Sequence, residues 1–237
     1  MNYKEIAWAA LIAYYGGGGN KDRYVQLFKN RQLIDSLRNN ASLVSFEDFR
    51  DKVIRHFINS WGRMRLQDNT AHQIYDAIII LQGSTSQILN DTLPTCNLST
   101  GSTVCEVTAQ LYDKLANIPG LKMTGFSKIA HILNDSLFPM IDNPIRETYR
   151  KQCGISLDAK GYINWMREMQ RQALNVVADF KKQGITAPIE VFLSTKLGFT
   201  SGGCTKSLVK FLDEYYWLTV TNGTPFPPPW IPPMPPS

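Results

Sequence analysis

Leu111-Tyr112-Asp113-Lys114-Leu115-Ala116-Asn117-Ile118-Pro119-Gly120-Leu121-Lys122-Met123-Thr124-Gly125-Phe126-Ser127-Lys128-Ile129-Ala130-His131-Ile132-Leu133-Asn134-Asp135-Ser136-Leu137-Phe138-Pro139-Met140-Ile141-Asp142 is the stretch on which the fold turns. Val104, Val107, Leu111 and Leu115 share one face at helical spacing, which predicts a helix over 104–117 that Pro119-Gly120 closes. A glycine-containing turn then reaches Gly125, and a second helix is expected to begin near Ser127 and to carry Lys128. The chain turns again at Asn134-Asp135, crosses an apolar run and meets Asp142 just ahead of a further helix. A helix, a glycine turn and a helix can hold an anion. Glycine lets backbone approach closely, and the amides that open the second helix point outward and favour a phosphate. A DNA phosphate suits such a site without being read for sequence. An ordinary helical hairpin shows the same pattern.

Two side chains in this stretch have chemistry to offer. Lys128, one turn into the expected second helix, lies where the positive end of the helix dipole lowers an amine's pKa, and such a lysine can form a Schiff base. Asp142 stands alone at the end of the apolar run, where a carboxylate can stabilise a sugar cation. The blander readings are a solvated Lys128 and an Asp142 that only caps the next helix, with Pro144 in its first turn.

Outward from this stretch the pattern stays helical, and an all-α fold is expected. Helices are predicted over 3–15, 21–38, from Ser45 through Ile58, 70–82 with a stop at Gly83, 161–183 with a stop at Gly184, and 206–217. Ser45-Phe46-Glu47-Asp48 is a capping-box pattern. Tyr14-Tyr15 run into Gly16-Gly17-Gly18-Gly19-Asn20, a loop with free backbone, and residues 92–103 form a second, polar loop. Eight of the last thirteen residues are proline, so 225–237 reads as a proline-rich flexible tail with the means to dock on a protein partner.

Composition narrows the class. Hydrophobic residues make up 43% and charged residues 19% of the 237, as in a globular protein. The apolar run Ile6–Ala13 is too short to span a bilayer and lacks the flanks of a signal peptide, so no membrane partner and a cytoplasmic location are expected. A net charge of +5 favours a polyanionic partner without proving one. Cys96, Cys105, Cys153 and Cys204 form no C-x-x-C pair, and no metal or other cofactor is expected. Reduced thiols are the default, although Cys96 and Cys105 bracket a loop that a disulfide can close in an oxidising environment. His56, His72 and His131 have no spacing that indicates a metal site, and His131 is expected to pack or to touch phosphate.

Ile118-Pro119-Gly120 followed by Gly125-Phe126-Ser127-Lys128-Ile129-Ala130 resembles the hairpin of the endonuclease III-like helix-hairpin-helix DNA glycosylase superfamily. Two further segments, Trp61-Gly62-Arg63-Met64-Arg65 and Asp213-Glu214-Tyr215-Tyr216-Trp217, look like a divergent bacterial branch of it. The resemblance covers roughly residues 110–150 and carries two departures: the hairpin has three extra residues between Gly120 and Gly125, and Lys128 and Asp142 are only fourteen apart. It implies a two-lobed helical glycosylase within 1–224, one lobe from about 1–65 plus 150–224 and the other, with the hairpin, from about 66–149.

The resemblance also implies an activity. A modified or damaged base would be flipped out of double-stranded DNA and its N-glycosidic bond cleaved by a monomer that uses no cofactor. The catalytic residues would be Asp142 and Lys128, with abasic-site lyase activity if Lys128 attacks the sugar. Gly120, Lys122, Thr124, Gly125, Ser127, Arg63 and Arg65 would contact DNA. Tyr14, Tyr15, Trp61 and Trp165 would wall the base pocket. Hydroxymethylated or glucosylated cytosine in phage DNA is the target class that the bacterial branch implies, placing the activity in either DNA repair or antiviral defence. A binding module that kept the hairpin without the chemistry would leave Lys128 and Asp142 apart. An interaction protein working through its tail would show no salt-dependent DNA affinity.

Overall fold

Residues 1–16, 23–199 and 205–226 of a computed structural model are described. The glycines after Gly16, Cys204 and the tail from Pro227 onward lie outside the described residues. Helices account for all the regular structure, and no strand occurs among the described residues.

The helices follow the apolar spacing, and polar residues end them. α1 runs Tyr3–Gly16. The single helix expected over 21–38 is broken into α2 (Arg23–Lys29) and α3 (Arg31–Asn39), because Asn30 turns out of the helix and its side chain caps α3 through the Leu33 amide. Ser45 caps α4 (Phe46–Asp48) through the amide of Asp48, as its capping-box pattern predicts. α4 then widens into a π-helical stretch, Phe49–Trp61. α5 (Asp68–Thr85) runs straight through Gly83, whose missing side chain leaves only open space there and so gives no reason to stop. α6 (Thr103–Leu115) is capped by Ser102 and α9 (Ala159–Lys181) by Asp158. α7 is Lys122–Leu133, α8 Asn143–Cys153, α10 Ile189–Lys196 and α11 Leu208–Tyr216, the last continuing as a π-helical turn, Trp217–Thr221. α10 has no counterpart among the helices expected from sequence.

α9 is the central post. α1, α6, α8 and α11 all pack on it, while α5 and α7 pack on α6. One continuous apolar core, from Tyr3 to Tyr216, takes in residues of both segments that the resemblance assigns to separate lobes. No helix among the described residues is long and apolar enough to cross a membrane. Cys96 and Cys105 are free buried thiols, and burial pushes the Cys96 thiol up to about 12.

Candidate functional site

The hairpin is built from α6, a turn over 116–121 and α7. Its second helix starts at Lys122, five residues earlier than expected. Gly120 sits at φ +89°, which a side chain disfavours, and it reverses the chain. Gly125 lies inside α7. A Cβ there would come within 2.6 Å of the Leu121 side chain and 2.8 Å of Met64, so its glycine serves close packing and not phosphate approach. The three extra hairpin residues are thus absorbed into the first turn of α7. Gly125 N–H is the first amide bonded along the helix, to the Leu121 carbonyl. The amides of Lys122, Met123 and Thr124 therefore form the open N-terminus. Lys122 is exposed and Thr124 half-buried. Ser127 was expected at DNA, but it is 0% exposed and cannot reach it.

A second segment lies across the hairpin. The π-helical stretch ends at Gly62, and the chain then crosses α7 as Arg63-Met64-Arg65-Leu66. Asn59 clamps this crossing, donating to the Leu66 carbonyl at 2.9 Å and accepting from its amide at 2.8 Å. Met64 touches Gly125. Lys128 donates to the Gly62 carbonyl. Arg63, at φ +54°, and Arg65 both point to solvent. The basic residues Arg63, Arg65 and Lys122 thus stand exposed on segments that meet at the hairpin. Gly62 cannot carry a side chain, because a Cβ would sit 2.4 Å from the backbone oxygen of Ile58. Gly62→Ala is expected to destabilise the protein by about 1–3 kcal/mol, the usual cost of forcing an atom into packed structure. A urea midpoint equal to wild type would show that the crossing yields freely.

Lys128 sits in the second turn of α7, and burial is the main reason its amine is lowered to about 8; nearby Arg63 lowers it further and Asp142 opposes both. The direction agrees with the sequence reading. The cause is desolvation and not the helix dipole, since α7 begins well before this residue.

Asp142 caps α8, as its sequence also allows. One carboxylate oxygen accepts from the Ile145 amide at 3.0 Å, and Pro144 lies in the helix's first turn. The other accepts from the Thr221 hydroxyl at 2.6 Å. Asp142 and Lys128 are close enough for the charge of one to act on the other.

The extended segment that delivers Asp142 is held by side chains at nearly every backbone polar group. His131 Nδ1 donates to the Phe138 carbonyl at 2.7 Å, and the Tyr162 hydroxyl donates to that of Pro139 at 2.8 Å. Asp213 accepts from the Met140 amide at 3.0 Å, and the Trp165 indole donates to the Met140 carbonyl at 3.3 Å. Ser127 Oγ accepts from the Ile141 amide at 3.1 Å. Burial lowers His131 to about 4, so its ring is neutral at pH 7 and its Nε2 accepts from the Tyr24 hydroxyl. Burial raises Asp213 well above the carboxylate range, and its second oxygen has no hydrogen-bond partner. α7, α9 and α11 therefore all act on the placement of one aspartate.

No family model, curated protein or solved structure matches this chain. The assignment of each residue consequently rests on where its side chain lies.

Trp165 is 0% exposed and packs on Tyr216 with ring centroids 5.1 Å apart, so it braces the site and offers no face to a base. Tyr14 is half-buried, edge-on to Phe199, and Tyr15 is 75% exposed beside it. The side chain of Trp61 falls outside the described residues. A groove lined by Gln73, Asp76, Ile80, Lys114 and Pro119 opens on the outer side of α5 and α6, but neither Lys128 nor Asp142 lines it. The sequence assigns no role to Tyr162 or to the Asp142 partner Thr221, and it offers Asp213 only within a segment of the resemblance, not as a tether. Nothing local marks these contacts, since each meets its partner over a long chain separation.

Proposed function

We propose that the protein is a DNA glycosylase that extrudes a modified or damaged nucleotide from double-stranded DNA and cleaves its N-glycosidic bond. The observation that carries this reading is a buried Lys128 amine, lowered to about 8, within electrostatic reach of Asp142, a doubly hydrogen-bonded carboxylate. Two groups with such environments, placed by separate rigid segments, serve a site where positive charge develops and a nucleophile attacks.

The mechanism follows from the placement. The open amides of α7 and the side chains of Lys122, Arg63 and Arg65 grip phosphates. One nucleotide is extruded at a cost of a few kcal/mol. As the bond from base to sugar breaks, its electron pair leaves with the base, which takes a proton from solvent. Asp142 stabilises the cationic sugar. The neutral Lys128 amine then adds to the anomeric carbon, and the sugar ring opens as one amine proton passes to the ring oxygen, which gives a protonated Schiff base. Elimination from that intermediate breaks the strand. If water adds instead, an intact abasic site remains.

The test is a panel of duplexes bearing uracil, oxidised and alkylated bases, and hydroxymethylated or glucosylated cytosine. Released base is measured by mass spectrometry, and covalent adducts are trapped with borohydride. Release from at least one duplex is expected. Duplex binding that weakens with salt, without release from any member, would leave a binding module in place of the enzyme.

A further inference from the structure

We propose that Trp217 is the stacking platform for the extruded base, an inference that rests on reading the Asp142 site as the receiver of a flipped nucleotide. Thr221 and Trp217 lie one turn apart on the π-helical turn that ends α11, so they face the same side of it. Thr221 holds the Asp142 carboxylate at 2.6 Å, which puts that side of the turn against the N-terminus of α8. Trp217 is 43% exposed, while Trp165 is fully buried and Trp8 half-buried against Phe226.

Exposing an indole is costly, and the neighbouring residues explain how this one is kept outside the core. Tyr216 is anchored inward between Trp165, at 5.1 Å, and Tyr149, at 5.3 Å. Leu218 is buried as well. With both neighbours fixed in the interior, Trp217 stays partly exposed, one turn before the Thr221 that holds the carboxylate. An indole face accepts any base by stacking, while the Asp142–Lys128 pair is placed to act on the attached sugar. Trp217 therefore takes the role that the sequence offers to Trp165, while Trp165 packs on the neighbouring Tyr216.

The test compares wild type with Trp217→Leu and Trp217→Phe on two duplexes. One carries a mismatched 2-aminopurine, a fluorescent base that is quenched when stacked. The other carries a tetrahydrofuran abasic analogue, which has no base to stack. Trp217→Leu is expected to weaken binding of the 2-aminopurine duplex about tenfold and to leave the bound base brighter than in wild type, with the abasic duplex bound equally well. Trp217→Phe should restore most of both signals. Equal loss on both duplexes would make Trp217 a structural residue and overturn the proposal, and so would equal emission and affinity in wild type and Trp217→Leu. Base release from the wider panel separates the two readings. Release with no 2-aminopurine effect overturns the stacking role alone, and a 2-aminopurine effect with no release overturns the glycosylase and keeps the stacking surface.

Discussion

Asp142→Asn is expected to slow base release by roughly 10²- to 10³-fold on any duplex from which the wild type releases a base, the scale on which placed electrostatic groups act. The fold should survive. Asparagine caps a helix about as well as aspartate, so the Ile145 amide keeps its acceptor. Thr221 can turn its hydroxyl to accept from the new amide nitrogen. What disappears is one negative charge, and duplex affinity at low salt should hold or rise because that charge repels phosphate. Asp142→Ala is a poorer probe, since it also removes the cap at a cost of about 1 kcal/mol. Urea denaturation and single-turnover base release on the same preparation separate these effects. An Asn variant that releases base at the wild-type rate would reduce Asp142 to a helix cap.

The Asn result also bears on the side chains that hold the aspartate in place. Ser127, His131, Tyr162, Trp165 and Asp213 contribute little to a chemical step themselves, yet they fix the backbone on which Asp142 is carried. In the proposed reaction, preorganisation of this kind would give a single charge its effect, because the carboxylate would not have to be reoriented as positive charge develops on the sugar. Asp213 is the extreme case. It is buried, its pKa is raised by that burial, and it spends one oxygen on a backbone amide.

The elements that were legible in the sequence are those whose signals are local. The all-α class, the caps at Ser45 and Asp142, the reversal at Gly120 and the limits of α1, α6 and α9 follow from spacing and capping within a few residues. Errors arose where a local signal was overridden by packing. Gly125 looked like a turn residue because glycine usually marks one, but here it makes room for Leu121 and Met64. Gly83 looked like a stop for the same reason, and α5 simply continues. Ser127 and Trp165 looked like contact residues because their chemistry allows it, and burial decided otherwise. The approach of Gly62 to Lys128 and of Thr221 to Asp142 spans 66 and 79 residues of chain, beyond any periodicity in a single sequence.

Lys128→Met is expected to have two effects with different pH dependence. The first is on stability. The folded amine titrates at about 8 and the unfolded one near 10.5. Below pH 8 both states hold the proton, and the folded state bears the full cost of a buried ammonium. Between pH 8 and 10.5 the folded state has released the proton while the unfolded state keeps it, so wild-type stability rises with pH, and the cost has gone above 10.5. Methionine carries no such cost, so the variant should be more stable than wild type by on the order of 2 kcal/mol at pH 7, with the gap closing toward pH 10.5. The second effect is chemical. The borohydride-trapped adduct should vanish in the variant, and in the wild type its rate of formation should climb with the neutral amine and level off above about pH 8. Denaturation curves at several pH values and trapping on one duplex read both. A stability gap that stays flat with pH would show that the amine is not desolvated in solution. Release without any trapped species, in wild type and variant alike, would assign the attack to water and leave Lys128 to tie the crossing at Gly62 to the hairpin.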